Sequence, residues 1–369
     1  MMYAMPSVFR ERLRSAFAPP RYLALPLAGI DVSTSGVKAA QLTEGPYGLM
    51  LTSYAEENYP AGAFVDGEVA EHAIVAKTIA AAAKRTKLYS ANAALPESKS
   101  YLFESAAPGK TKNAWRTEVE QHLDELIPLP PQETSFDIVD VGLDDKGDTL
   151  LAGVGFARRI VDETLSVFDE AGVVVRALEG ETFAMARALL PHGDESTTLL
   201  IDVGKTTTKL AVVQARIPRF ATTIGIGGHA LTLAVQKHFG VTEQEARRVK
   251  AERGIVPAPG NEDYLAAMLS TVSAIRDEIA RHLEYWQSRA AHASAHAPVS
   301  QAILSGGNAS VRGLPEYLEG SLHIPVMTGD VFTNLASRDH WLPKLDYNES
   351  LAYATAIGLA LRDRRGSYA

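Results

Sequence analysis

The tripeptide Ile-Asp-Val occurs twice in this chain, at 30–32 and at 201–203, and each copy is followed by five residues and then a lysine. The first copy reads Ile30-Asp31-Val32-Ser33-Thr34-Ser35-Gly36-Val37-Lys38. The second reads Ile201-Asp202-Val203-Gly204-Lys205-Thr206-Thr207-Thr208-Lys209 and starts 171 residues further on. A repeat at such range limits the possible folds more than a single motif does. Each copy predicts an apolar strand that delivers an Asp to a tight Ser/Thr/Gly turn, and a second strand that leads away: 28–32 and 37–42 in the first, 199–203 and 209–214 in the second. Taken singly, either copy is a hairpin whose Asp caps the turn. Taken as a pair, they predict duplicated domains that face each other across a cleft, with both turns on the phosphates of one nucleotide.

The residue types suit that task. Small residues let backbone N–H groups approach an anion, hydroxyls add donors, and Lys38 or Lys209 offers a point charge. Asp31 and Asp202 suit a hydrated Mg²⁺, which keeps several waters and takes few protein ligands. Neither copy is a Gly-x-x-x-x-Gly-Lys-Ser/Thr phosphate loop. Two further glycine-rich turns follow apolar strands. Ile303-Leu304-Ser305-Gly306-Gly307-Asn308-Ala309 would let backbone lie flat against a base or ribose. Ile224-Gly225-Ile226-Gly227-Gly228 runs into a helix over 231–239, and helix N-termini attract phosphate.

Between these blocks lie helices, so the chain reads as α/β with inserted pieces. The segment 69–85 is Ala-rich and ends in basic residues, as a helix C-terminus prefers. Trp115, Val119, Leu123 and Ile127 are spaced by four ahead of Pro128, which predicts one amphipathic helix whose stripe either lines a partner groove or is core. A long helix over 264–290 carries Met268, Val272, Ile275, Ile279, Leu283 and Trp286 as a core stripe. His292 and His296 share helical spacing but fall in an Ala/His/Ser linker over 291–298, which favours a solvated linker over a metal pair. Residues 1–27 form a basic amphipathic segment: Phe9, Leu13 and Phe17 make one stripe beside Arg10, Arg12 and Arg14, which suits either docking on the protein or contact with an anionic membrane surface. A cleavable signal is not expected there, because the apolar stretch 23–27 is short and contains Pro26.

Charge and composition then exclude several functions. With 36 basic against 44 acidic side chains, the net charge of −8 disfavours general binding to nucleic acid. The absence of cysteine removes disulfides, thiolate metal sites and cysteine nucleophiles. No apolar run approaches the ~20 residues that cross a bilayer, so a soluble protein is expected. The length predicts two domains or more, because single cores rarely exceed roughly 250–300 residues.

With these segments in view, the chain resembles the actin-like ATPase superfamily of actin, Hsp70 and sugar kinases. More closely it resembles the PilM family of type IV pilus assembly, relatives of FtsA. The likeness spans about 28–362 and rests on Gly29-Ile30-Asp31 with Val37-Lys38, Leu126-Ile127-Pro128-Leu129-Pro130 with Phe136-Asp137, Ile201-Asp202-Val203-Gly204, Gly227 to Thr232, Leu304-Ser305-Gly306-Gly307, and the closing Tyr353 to Ala360. It implies a two-lobed actin-like ATPase fold with an FtsA-like inserted subdomain. The first lobe would cover 28–196 with the insert at about 88–158, and the second 197–369 with its own subdomain at about 231–298. It implies ATP and Mg²⁺ as cofactors, with Asp31 and Asp202 at the metal. Ser33, Thr34, Ser35 and Lys38, together with Gly204, Lys205, Thr206 and Thr207, would stand at the phosphates, near Gly227 and Gly228. Gly306, Gly307 and Asn308 would lie by the adenosine. Lys250 would lie near base and ribose, in a segment where Arg247 replaces the family's acidic residue.

Glu179 and Glu181 stand where the superfamily's first connecting segment should lie, and either could orient a water for hydrolysis. Equally, they are acidic residues at a helix start; slow or absent turnover is the expectation. The resemblance further implies a cytoplasmic ATP-binding scaffold at the inner-membrane face that holds the N-terminal tail of PilN between the first lobe and the insert, with self-association open. The alternatives are an FtsA-like filament-forming membrane-associated ATPase, for which the end of the chain shows no amphipathic helix, and a sugar-kinase-type phosphotransferase, for which no Asp base in a sugar pocket is evident.

Overall fold

Strand β1 (Leu27–Ser33) buries Ala28 and Ile30 completely and turns at Gly36 into β2 (Gly36–Gly45), which runs antiparallel to it. This hairpin is the first copy of the repeat, and it sits inside a five-stranded sheet. The computed structural model describes residues 27–362 apart from 110, 145, 293 and 294, so the basic amphipathic segment and the last seven residues lie outside the described residues. The sheet continues with β3 (Gly48–Glu57); next in the chain come a two-stranded ribbon of β4 (Phe64–Val65) and β5 (Glu68–Val69), then β6 (Ser90–Leu95). The helix expected from residue 69 begins later, at His72, and ends at Thr86. The reason is local: Asp66 and Gly67 adopt positive φ, as a two-residue hairpin turn requires, and the ribbon takes Val69 as a strand residue.

An insert then leaves the sheet. Strands β7 (Tyr101–Ala107), β8 (Thr134–Leu143) and β9 (Thr149–Ala157) form a separate antiparallel sheet in the order β7-β9-β8. The expected start at about 88 is too early: β6 belongs to the large sheet, between β10 (Val174–Gly180) and β1. The predicted single helix is also broken. A helix Lys112–Gln121 ends at His122, and a short turn of helix covers Leu123–Leu126. Trp115, Val119, Leu123 and Ile127 are all buried together with Phe103 and Leu151. The stripe is therefore the core of the insert, and the reading of it as a partner groove is corrected.

The second lobe repeats the plan. Strands β11 (Thr197–Val203), β12 (Thr208–Gln214), β13 (Ile217–Ile224), β14 (Gln301–Ser305) and β15 (Val326–Thr328) form a sheet ordered β13-β12-β11-β14-β15, against β3-β2-β1-β6-β10 in the first lobe. In each, the repeat hairpin is antiparallel and the two strands on its other side are parallel. Helices Gly228–Phe239, Glu243–Arg253 and Glu262–His292 separate β13 from β14. The middle one starts on a capping box between Thr242 and Glu245. The long one buries Tyr264 and the stripe from Met268 to Trp286 against the sheet, as the spacing predicts.

Two helices join the lobes. Glu181–Leu189 follows β10, and Ala354–Leu361 closes the described chain; they cross so tightly that a Cβ on Gly358 would overlap the Ala184 carbonyl. The closing helix, expected with the second lobe, packs on the first lobe's sheet, and Asn92 on β6 donates to the Leu359 carbonyl at 2.9 Å. Ala40 and Leu42 from the first sheet, Leu200 and Val213 from the second, and Ile357 from the closing helix share one buried cluster. The two sheets thus stand on a common core, and their hairpin turns face a cleft.

Candidate functional site

Strand register places Asp31 opposite Lys38 and Asp202 opposite Lys209. The two turns meet across the cleft, where the hydroxyls of Thr34 and Thr206 lie 2.9 Å apart. The cleft between them has a volume of about 1200 Å³. Its walls include Asp31, Ser33, Thr34, Ser35 and Lys38 from the first copy, and Asp202, Gly204, Lys205, Thr206, Thr207 and Lys209 from the second. Gly228, Lys250, Gly306, Gly307 and Asn308 close another side, with Arg247 beside them. Gly227 stands behind the wall: a Cβ there would collide with the backbone of Lys205 to Thr207, so it supports the second turn from the rear.

Each turn is braced from within. In the first, Ser33 Oγ and Ser35 Oγ are 3.0 Å apart, Lys38 Nζ donates to Ser35 Oγ at 3.2 Å, and the Tyr59 hydroxyl donates to the Ser33 carbonyl. In the second, Asn308 acts as a pin. Its Nδ2 donates to the Gly204 carbonyl at 2.9 Å and its Oδ1 accepts from Lys250 Nζ at 2.8 Å, while Lys250 also donates to the Gly228 carbonyl at 3.0 Å. Lys250 therefore ties three glycine turns together at the edge of the cleft. Burial, with Arg247 adding to it, pushes its pKa down to about 8. Gly306 at φ +91° sits where a Cβ would overlap the Asp202 carboxylate, so the turn after β14 needs glycine on both counts.

The centre of the cleft is a cluster of charges. Lys209 Nζ lies 2.7 Å from Glu181 Oε2 and 3.8 Å from Asp202 Oδ2. Glu181 Oε2 also accepts from the backbone N–H of Glu97 at 3.0 Å. Burial, and then the charge of Glu181, raise Asp31 to about 7 against the pull of Lys209 and Lys38. Burial also raises Asp202 and Glu97. It works against the Lys209 ammonium, yet Glu181, Asp202 and Asp31 hold that group above the ordinary lysine value. Asp31 Oδ1 is buried with no hydrogen-bond partner among the described residues. That orphaned acceptor fits a cation or a water brought in with a ligand.

The two candidate bases separate. Glu181 lines the cleft. Glu179 does not: its carboxylate takes both Arg187 nitrogens, at 2.6 and 2.8 Å, and pairs with Arg362. Its placement is that of a structural ion pair at the joining helices. Glu97 went unnoticed in the sequence. It is 4% exposed, accepts from the Thr182 N–H at 3.2 Å and from Ser100 Oγ, and reaches the site from 84 residues before Glu181. Only the Pro96 that precedes its short 3₁₀ turn marks the spot. His292 and His296 also part: His292 Nδ1 lies 2.7 Å from the Ser288 carbonyl, while His296 Nε2 lies 2.7 Å from Glu104 Oε2, away from the cleft.

Two sheets of matched topology, each carrying an Asp-bearing hairpin onto a shared cleft, define the actin-like ATPase fold. Among solved structures, the chain is similar to MreB5 of Spiroplasma citri bound to ADP (13% identity, 90% of this chain and 95% of that one, TM-score 0.53). It is similar also to the ethanolamine utilization protein EutJ from Carboxydothermus hydrogenoformans (15%, 93% and 90%, 0.51). Within that class the chain belongs to the PilM family: the model of the type IV pilus assembly protein PilM matches residues 29–364. A structure described as the PilM-PilN type IV pilus biogenesis complex shares 21% identity over 91% of this chain and 97% of that chain, with a TM-score of 0.74.

Proposed function

We propose that this protein is an ATP-binding scaffold of type IV pilus assembly which works at the cytoplasmic face of the inner membrane. The observation that carries the nucleotide half is the pair of Asp–Lys hairpins whose turns meet across the cleft at Thr34 and Thr206. The fold is shared with an MreB5 solved with ADP and again with AMPPNP, and the volume accommodates a nucleotide. The turn hydroxyls and N–H groups, with Lys38, would hold the phosphates. Any Mg²⁺ would arrive with the triphosphate, with the orphaned oxygen of Asp31 facing its hydration shell. Hydrolysis is slow in this reading, because Glu181, the candidate base in the cleft, is already engaged by Lys209 and the Glu97 N–H. Melting with and without Mg-ATP tests the assignment. Ligand at ~100 times its dissociation constant adds roughly 2.7 kcal/mol to the wild type, and Asp202→Ala should lose most of that shift; an equal shift in both would place the nucleotide elsewhere. Turnover in the same samples should stay below about 1 s⁻¹.

The partner half rests on family membership and on the likeness to the PilM-PilN complex. No helix among the described residues is long and apolar enough to cross a membrane, so a grip on a membrane-anchored chain such as the N-terminal tail of PilN is the means of attachment proposed. Because the stripe of the insert is core, the groove is assigned instead to the first lobe, at the shallow crevice lined by Phe64, Val69, Ile79, Pro96, Ile160 and Thr164. At about 20 Å³ it seats at most one small side chain, and the rest of an extended peptide would lie along the surrounding surface.

A further inference from the structure

We propose that Lys209 is the resident cation of this cleft: its ammonium takes the position between Asp202 and Glu181 that a divalent ion would otherwise fill, so the nucleotide-free protein has no Mg²⁺ site and nucleotide binding depends little on Mg²⁺. The second half of this statement rests on the ATP reading above; the first half does not.

The two copies of the repeat are alike in register but differ in where the lysine goes. Lys38, opposite Asp31, keeps to its own lobe: with its side chain 7% exposed, its Nζ donates to Ser35 Oγ at 3.2 Å and lies 3.4 Å from Glu56, on the neighbouring strand β3. Lys209, opposite Asp202, points inward to Glu181 at 2.7 Å and Asp202 at 3.8 Å. Its side chain is 17% exposed, that of Asp202 16% and that of Glu181 3%, so the ammonium stands against largely buried carboxylates. Strand pairing fixes the stem of Lys209, and the Glu97 N–H fixes Glu181 from the other side.

A dication has to compete with this arrangement. Mg²⁺ demands oxygen ligands in octahedral geometry and gives up its waters reluctantly. To reach Asp202 and Glu181 together it would have to expel an ammonium that has no other carboxylate within ion-pair distance among the described residues, and a charge left unpaired in a buried site is strongly disfavoured. Lysine, unlike arginine, is a compact point charge and can stand in for a small ion in so narrow a space. Only Asp31, with its orphaned Oδ1, remains open to an outer-sphere contact. The same ion pair withholds Glu181 from a water, so one lysine would both weaken the metal requirement and quiet the candidate base.

The test titrates Mg²⁺ alone into the nucleotide-free full chain, then ATP in Mg²⁺ and ATP in EDTA, following melting temperature and binding heat. For the wild type the expected results are no response to millimolar Mg²⁺ and a loss of ATP affinity on chelation below about tenfold. Lys209→Met, which keeps the stem and removes the charge, should gain a stabilising response to Mg²⁺ alone and lose more than about tenfold in ATP affinity in EDTA. Lys209→Arg should retain the charge and leave Mg²⁺ without effect. A wild type that Mg²⁺ alone stabilises, or whose ATP affinity collapses in EDTA, overturns the proposal, and those two arms stand even if Lys209→Met does not fold. A wild type that binds no ATP under either condition sinks the nucleotide reading, while the Mg²⁺-only arms still decide the role of Lys209.

Discussion

Glu104, on β7 of the insert, receives three side chains of the second lobe: Arg219 at 2.6 Å, Arg289 at 2.9 Å and His296 at 2.7 Å. Arg219 and His296 are buried, at 2% and 6% side-chain exposure, and Trp286 packs edge-on against the His296 ring. A single carboxylate thus discharges a buried guanidinium and ties the insert to the lobe that carries the second Asp-bearing turn. Glu104→Ala should destabilise the protein by about 3–5 kcal/mol, because it leaves Arg219 uncompensated in a dry site. Glu104→Gln, which keeps the shape and the hydrogen-bond acceptor, should cost clearly less. Chemical denaturation of the two variants checks this, and equal midpoints would show that packing and not charge matters there.

At the scale of elements, the crossing of helices Glu181–Leu189 and Ala354–Leu361 is set by Gly358, over which the backbone of Ala184 passes. The same closing helix presses on β1 at Gly29, where a Cβ would overlap the Ala356 carbonyl. Two glycines on different elements therefore fix how closely the joining helix approaches the first sheet and its neighbour. Gly358→Ala forces these backbones apart and should cost about 1–3 kcal/mol, the usual range for an overpacked core. Gly320, in open space on helix Leu314–Leu322 and without a positive φ, is the control; Gly320→Ala should be neutral or slightly stabilising. Thermal melting that lowers both variants equally would remove the special role of the crossing.

At the scale of the molecule, the insert and the cleft are joined by continuous chain. Residues Pro96, Glu97, Ser98 and Ser100 line the cleft and lead directly into β7, and β13 carries Thr222 and Thr223 at the cleft and Arg219 at the junction with the insert. The proposed peptide crevice lies on the same Pro96. Thr164→Arg should plug that crevice from its half-exposed rim and lower the affinity for an apolar N-terminal tail peptide by about tenfold or more, while the Mg-ATP melting shift persists as proof of an intact fold. Unchanged affinity in calorimetric titration would move the partner to another face.

The duplicated fold and the two Asp turns could be read from the sequence alone, because Ile-Asp-Val-x₅-Lys is a local pattern and strand pairing acts on neighbours: each Lys lands opposite its own Asp by counting residues. The buried stripe of the long helix was legible for the same reason, since periodicity of 3.6 sets a face wherever the helix goes. Periodicity was less reliable at Trp115 to Ile127. The spacing located the buried side chains but not the break at His122, which leaves the same face inward. What only the tertiary structure decided lies in contacts between distant segments. Glu97 meets Glu181 across 84 residues and Glu104 meets His296 across 192, and nothing in either neighbourhood announces the partner. The different directions of Lys38 and Lys209 belong here too: their local sequences are equivalent, and the choice falls to Glu56 on one side and Glu181 on the other, groups that reach each lysine only once the sheets and the joining helices are assembled.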